Sequence, residues 1–160
     1  MNWRIAVVAI VLMSGTAGAQ SAANEGTKPE LRLDGIASDN RVAIQGGAGL
    51  EMPAGYYARI GVIGALGSDL IPSGHELSGR VDVLGRFLFD PFRQMKWGFS
   101  AGAGVSLRVR EHDRVRPYLL SVIDLEAPRP SSGIAPAFQL GLGGGVRIGM
   151  ALRWGGPTTR

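Results

Sequence analysis

The chain has 160 residues, 25 glycines, no cysteine and a formal net charge of +4. That length fits one domain, and the missing cysteines exclude disulfides and a lipid-modified N-terminal cysteine. Only Lys28 and Lys96 are lysines among 17 basic residues, and the arginines are spread singly along the chain, so the basic balance does not read as a nucleic-acid-binding patch.

The chain begins with a short cationic start, Met1-Asn2-Trp3-Arg4, followed by an apolar run from Ile5 to Met13 and a small-residue segment ending Ala17-Gly18-Ala19. This is the three-part pattern of a secretory signal peptide over residues 1–19, cut before Gln20. As a retained anchor the apolar run is too short, because a spanning helix needs ~20 residues. Residues 20–30 are polar without periodicity and read as a flexible lead-in.

From there the pattern is period two, the signature of strands whose successive side chains point to opposite faces. Leu31 to Ala37 is a first short candidate, closed by the turn signal Ser38-Asp39-Asn40. Val42, Ile44, Gly46, Ala48, Leu50 and Met52 then oppose Arg41, Ala43, Gln45, Gly47, Gly49 and Glu51. Pro53-Ala54-Gly55 is a tight reversal. The next strand sets Tyr56, Ala58, Ile60, Val62, Gly64 and Leu66 against Tyr57, Arg59, Gly61, Ile63, Ala65 and Gly67, and Ser68 to His75 reads as a loop. Leu77 to Phe89 carries one apolar set, with Ser78, Arg80, Asp82, Leu84 and Arg86 between its members.

The clearest stretch is Trp97 to Arg110. Trp97, Phe99, Ala101, Ala103, Val105, Leu107 and Val109 alternate without a break against Gly98, Ser100, Gly102, Gly104, Ser106, Arg108 and Arg110. Strands of soluble domains usually run ~5–6 residues, whereas a tilted membrane strand needs ~9–11. Glu111 to Arg114 reads as a polar hairpin loop. Arg116 to Glu126 is ambiguous, because Tyr118, Leu120 and Val122 share a face with Asp124 and Glu126. After the irregular segment Ala127 to Ser132, a last alternation runs from Phe138 to Trp154 with Arg147 and Arg153 on the small-residue face. No helix-period segment follows the signal peptide.

Two all-β architectures use such a pattern. A soluble sandwich or ligand-binding barrel buries its apolar faces. A membrane barrel turns them to lipid and lines its interior with the alternate set. That alternate set is Gly, Ala and Ser with single charges, which suits a narrow closed barrel filled by arginine–carboxylate pairs. The expected interior network is Glu51, Arg59, Arg80, Asp82, Arg86, Arg108 and Arg147. Tyr56, Trp97 and Trp154 stand at strand ends, where interfacial aromatics gather.

Over nearly all of its mature length the chain resembles, in pattern, the small outer-membrane β-barrel proteins of Gram-negative-type bacteria, of the eight-stranded OmpA/OmpX type. The most specific part is the end. Arg147, Gly149, Leu152 and Trp154 fall on the group's C-terminal assembly signal of polar, any, glycine, any, any, hydrophobic, any, aromatic; a six-residue tail, 155–160, follows where the group usually stops. The resemblance implies outer-membrane lipid and the barrel-insertion machinery as partners. The expectation is one barrel over residues 31–154, small, antiparallel and up-and-down. Seven candidate strands are countable, bacterial barrels use even numbers, and eight is expected with six as the fallback. At eight strands, side chains fill the interior and leave no large pore.

Chemistry is sparse. His75 and His112 fall in expected loops with no second histidine at ligand spacing, so neither a metal nor a cofactor is expected. Gly141 to Gly145 is followed by no Lys-Ser pair and no helix, unlike a phosphate loop. The expected role is structural or surface-interacting rather than enzymatic. A periplasmic or secreted soluble barrel binding an apolar ligand is the alternative. A lipid-modifying enzyme using His112 with Ser106 or Ser121 is the third reading.

Overall fold

A computed structural model describes residues 26–72, 74–92, 94–110, 115–128 and 133–155. The signal peptide, the Glu111–Arg114 loop with His112, and residues 156–160 lie outside the described residues. Eight strands follow one another: β1 (Lys28–Ser38), β2 (Arg41–Pro53), β3 (Ala58–Ile71), β4 (Gly74–Leu88), β5 (Gly98–Arg110), β6 (Arg116–Glu126), β7 (Ile134–Leu142) and β8 (Val146–Trp154). Each pairs antiparallel with the next, and β8 closes the cylinder against β1. The count is eight, not six, and no helix occurs among the described residues.

Strand lengths run from nine residues in β7 and β8 to 15 in β4. Alternation explains which way each strand faces. At the outward positions of all eight strands there is no Asp, Glu, Lys or Arg; the polar exceptions are Ser68, His75 and Ser121. Leu33, Ile44, Leu66, Leu140 and Ile148 each stand more than half exposed on that outer wall. Every charged strand residue points inward.

The interior is not uniformly polar. Ile63, Leu84, Leu120 and Val122 form a small buried apolar cluster across β3, β4 and β6. This resolves the ambiguity of β6, whose inner face carries Leu120 and Val122 toward that cluster and Asp124 and Glu126 toward the end bearing the chain termini. Aromatic rings gather outside at that same end: Tyr57 stacks on Phe87 at 5.8 Å, and Phe89 lies 5.4 Å from Phe99.

Several boundaries differ from the sequence expectation, four of them for a clear physical reason. β1 begins at Lys28, inside the expected lead-in, because Lys28 and Glu30 continue the inward set of Arg32 and Asp34. Most of the expected loop Ser68–His75 is strand, with β3 running to Ile71 and β4 starting at Gly74, since Asp69 keeps the inward parity of β3 and is buried. Trp97 precedes β5 rather than opening it.

The fourth is the largest. Phe138 to Trp154 is two strands, not one. Gly143, Gly144 and Gly145 turn the chain back, with φ of 72° at Gly144 and 143° at Gly145, a region that L side chains rarely enter. Because the connection has three residues, Leu142 lands opposite Val146 and both point outward. Alternation therefore runs through the hairpin undisturbed, and the periodicity conceals the reversal.

Candidate functional site

The lumen holds the only dense set of polar side chains among the described residues. Its buried cations are Lys28, Arg32, Arg59, Arg80, Arg86, Arg108, Arg147 and Arg153. Its buried carboxylates are Glu30, Asp34, Glu51, Asp69, Asp82, Asp124 and Glu126. Eight against seven is close to balance, which a low-dielectric interior requires, since an unpaired buried charge is very costly.

Near the termini the inward residues of β1, β2, β4, β6 and β8 meet. Arg86 donates from Nη1 to Glu51 at 2.7 Å, and Arg59 donates to the other oxygen of Glu51 at 3.1 Å. Arg86 Nε lies 3.2 Å from Asp124, within ion-pair range but without hydrogen-bond alignment. Arg153 spreads over three carboxylates, Glu30 at 3.1 Å, Asp124 at 2.9 Å and Glu126 at 3.3 Å.

Toward the hairpin end a second group forms. Asp82 accepts from Arg80 at 3.0 Å, from Arg147 at 2.7 Å and from Ser106 at 2.5 Å. Arg80 also donates to Gln45 at 2.7 Å and to Asp34. Asp69 takes Arg108 at 2.7 Å and Arg110 at 2.9 Å. Arg32 joins the two groups, with two bonds to Asp34 at 2.8 and 2.9 Å, one to Glu30 at 3.3 Å and one to Gln139. The network thus crosses most of the barrel height, and charge-assisted bonds of this kind are about twice as strong as neutral ones.

All seven residues expected in the interior stand there, divided between the two groups: Glu51, Arg59 and Arg86 in the first, Arg80, Asp82, Arg108 and Arg147 in the second. The expected network leaves out Lys28, Glu30, Arg32, Asp34, Asp69, Asp124 and Glu126, and also Gln45, Gln139 and Arg153, which the alternation does place on the inward face. Each shares the inward parity of its own strand, which was the available signal.

The four residues on the assembly-signal spacing divide by face: Arg147 and Gly149 point into the lumen, while Leu152 and Trp154 point outward. Gly149 lies opposite Asp34 in the β1–β8 register, and a Cβ there would run into the Asp34 carboxylate. Gly149→Val should therefore cost about 1–3 kcal/mol by overpacking, seen as a lower urea midpoint in micelles; an unchanged midpoint would show that Asp34 can move aside.

Ser106 is buried on Asp82, and Ser121 faces outward between Ala103 and Leu142; His112, the expected partner of either, lies outside the described residues. His75 is exposed. Among the described residues no three His, Asp or Glu side chains are placed to hold a metal.

No protein-family model and no curated protein matches the chain. Among solved structures it is similar to the solution NMR structure of de novo designed TMB2.3, at 14% identity and a TM-score of 0.45, over 84% of this chain and 97% of that one.

Proposed function

We propose that the protein is a small outer-membrane barrel of the OmpA/OmpX type with a structural or surface-interacting role, exported by a cleaved signal peptide and inserted by the barrel-insertion machinery through its C-terminal strand. The observation that carries this reading is the inverted polarity: every charge of the eight strands is inside, and none is on the outer wall. Soluble monomers rarely expose an apolar patch beyond a few hundred Å², while this wall is apolar around its whole circumference. A closed barrel also satisfies its own backbone, as lipid demands. A soluble barrel binding an apolar ligand would need the opposite polarity, with a greasy cavity where the ionic network stands.

The decisive measurement is SDS electrophoresis of membrane-extracted protein with and without boiling, run beside cell fractionation. The barrel should sediment with outer membranes and change mobility only on heating. Recovery in the soluble periplasmic fraction with a single mobility would refute the reading.

A plugged lumen has a second consequence. In planar bilayers the protein should show no stable open level, because Arg80, Asp82, Arg147 and Asp34 bridge the interior. A reproducible conductance step would instead mean that the network opens.

A further inference from the structure

The arginines of the hairpin half are arranged differently from those near the termini. Arg80 on β4 stands directly opposite Arg108 on β5, and Arg108 directly opposite Arg116 on β6. Three arginines of inward parity therefore lie side by side in one cross-strand row, and like charges placed opposite each other destabilise a sheet. Each carboxylate of this half is shared: Asp82 by Arg80 and Arg147, Asp69 by Arg108 and Arg110, and Asp34 by Arg32 and Arg80.

Arg108, at the centre of the row, is poorly satisfied. It is 3% exposed, donates from Nη2 to Asp69, and finds no acceptor for Nε or Nη1 among the described residues. Arg147 reaches Asp82 and Ser106, the paired inward positions one step nearer the termini than Arg80 and Arg108, so its guanidinium lies just beneath the row. It is 1% exposed, and its Nε also lacks an acceptor. Buried polar groups without a partner are rare and point to a water or an ion, and a guanidinium cannot escape by losing its proton. Arg86, near the termini, has unpartnered N–H groups as well, but Glu51 at 2.7 Å, Asp124 at 3.2 Å and Glu30 at 3.6 Å surround it with negative charge. Open donors and like-charged neighbours coincide at Arg108.

We infer that the hairpin half of the lumen binds a small inorganic anion of chloride size against Arg108, with Arg147 adding charge from beneath. The ion takes N–H groups that no carboxylate accepts, and its charge offsets the repulsion along the row, since a buried charge without compensation is costly. A water molecule would satisfy the donors and leave the charges unopposed. Donors this enclosed suit a single-atom ion better than a phosphate. A mouth of about 1210 Å³ opens at the same end, and Arg116 belongs both to the row and to the lining of that mouth, so the ion enters from there. The inference goes beyond the membrane reading, because it needs the closed lumen and no lipid outside it.

The test uses the full mature barrel in maltoside micelles. Urea midpoints are measured as sodium chloride replaces sodium gluconate at constant ionic strength, which holds general screening fixed. A ligand that binds only the folded state raises its stability, so the wild-type midpoint should climb with chloride and level off. The climb should vanish in Arg108→Met, which leaves Asp69 paired with Arg110, and persist in Arg41→Gln at the rim. The Arg108 Nε–H resonance of wild type should move over the same chloride range, a readout that stands even if Arg108→Met fails to fold. A midpoint and a resonance indifferent to chloride overturn the proposal and leave Arg108 to water. So does an undiminished climb in Arg108→Met, or an equal loss in Arg41→Gln, which would trace the effect to charge spread over the whole protein. Heat-dependent mobility of the same samples reports membrane-barrel character separately, so failure of the site and failure of the membrane reading are told apart.

Discussion

Asp82→Ala should lower the stability of the barrel by about 3–5 kcal/mol, the usual cost of removing one partner from a buried ion pair. Asp82 is fully buried and is the common acceptor for Arg80, Arg147 and Ser106. Without it Arg147 loses the carboxylate it pairs with, while Arg80 keeps Asp34. Arg147 is the worse placed, since its Nε has no acceptor and its remaining bond, to Ser106, is long at 3.4 Å. Urea unfolding in lipid vesicles, followed by the fluorescence of Trp97 and Trp154, reads the effect. Adding Arg147→Met should recover part of the loss, because replacing both members of a buried pair by apolar groups is often near neutral. Glu76→Ala at the rim is the internal comparison: the side chains of Arg41 and Glu76 are 39% and 11% exposed, so this part-buried pair should cost less to break than the fully buried one. If Asp82→Ala costs no more than Glu76→Ala, the lumen is wet enough to solvate stranded arginines, and the network does not hold the fold.

What the sequence reveals about this molecule follows from period two. Alternation assigns each strand residue to a face without any knowledge of its neighbours, so an apolar face and a small, charged face are readable from Arg41–Met52 or Trp97–Arg110 alone, whereas which face lies inside and whether the sheet closes are read only from the strands together. Turns are readable where their residue types mark them. Pro53-Ala54-Gly55 does so through its proline, although Met52 and Ile60 keep the same parity across it, and Gly55 adopts a φ of 118°. The three glycines after Leu142 carry no such mark, and parity is preserved there too; only their run of small side chains hints at the reversal. Partnership inside the lumen is the least readable feature. Asp34 and Arg80 are 46 residues apart in sequence, and Asp82 and Arg147 are 65 apart. Which carboxylate meets which arginine depends on the register of several seams at once, and a single strand carries no information about that. Asp69 and Asp124 share the inward parity of their strands, but the sequence sets Asp69 in a loop-like stretch and Asp124 on a face of mixed polarity.

The division of β6 shows why such a stretch misleads. A barrel of this width needs its interior filled, not merely polar. Leu120 and Val122 fill it beside Ile63 and Leu84, and the same strand face then delivers Asp124 to Arg153 and Gln139. Rules that expect one polarity per face fail where a lumen changes character along its axis.

Val105→Arg is the substitution that best separates a wall facing lipid from a wall facing water. Val105 stands near the middle of β5, outward and 43% exposed, opposite Val83 on β4 and Leu119 on β6. In a bilayer an arginine at the midplane of a barrel wall costs about 2–4 kcal/mol, falling to about 0–1 near the interfaces. Val146→Arg, at the rim of the β7–β8 hairpin, should therefore be nearly silent while Val105→Arg is not. A water-facing wall predicts the opposite economy, because surface substitutions on a soluble protein usually stay within about 0.5 kcal/mol wherever they fall. Both variants are compared with wild type by urea unfolding in the same vesicles. A depth-dependent penalty places the belt in hydrocarbon. Two small and equal effects would remove the lipid, and a barrel with this wall and this lumen would then need some other apolar partner to cover its outside.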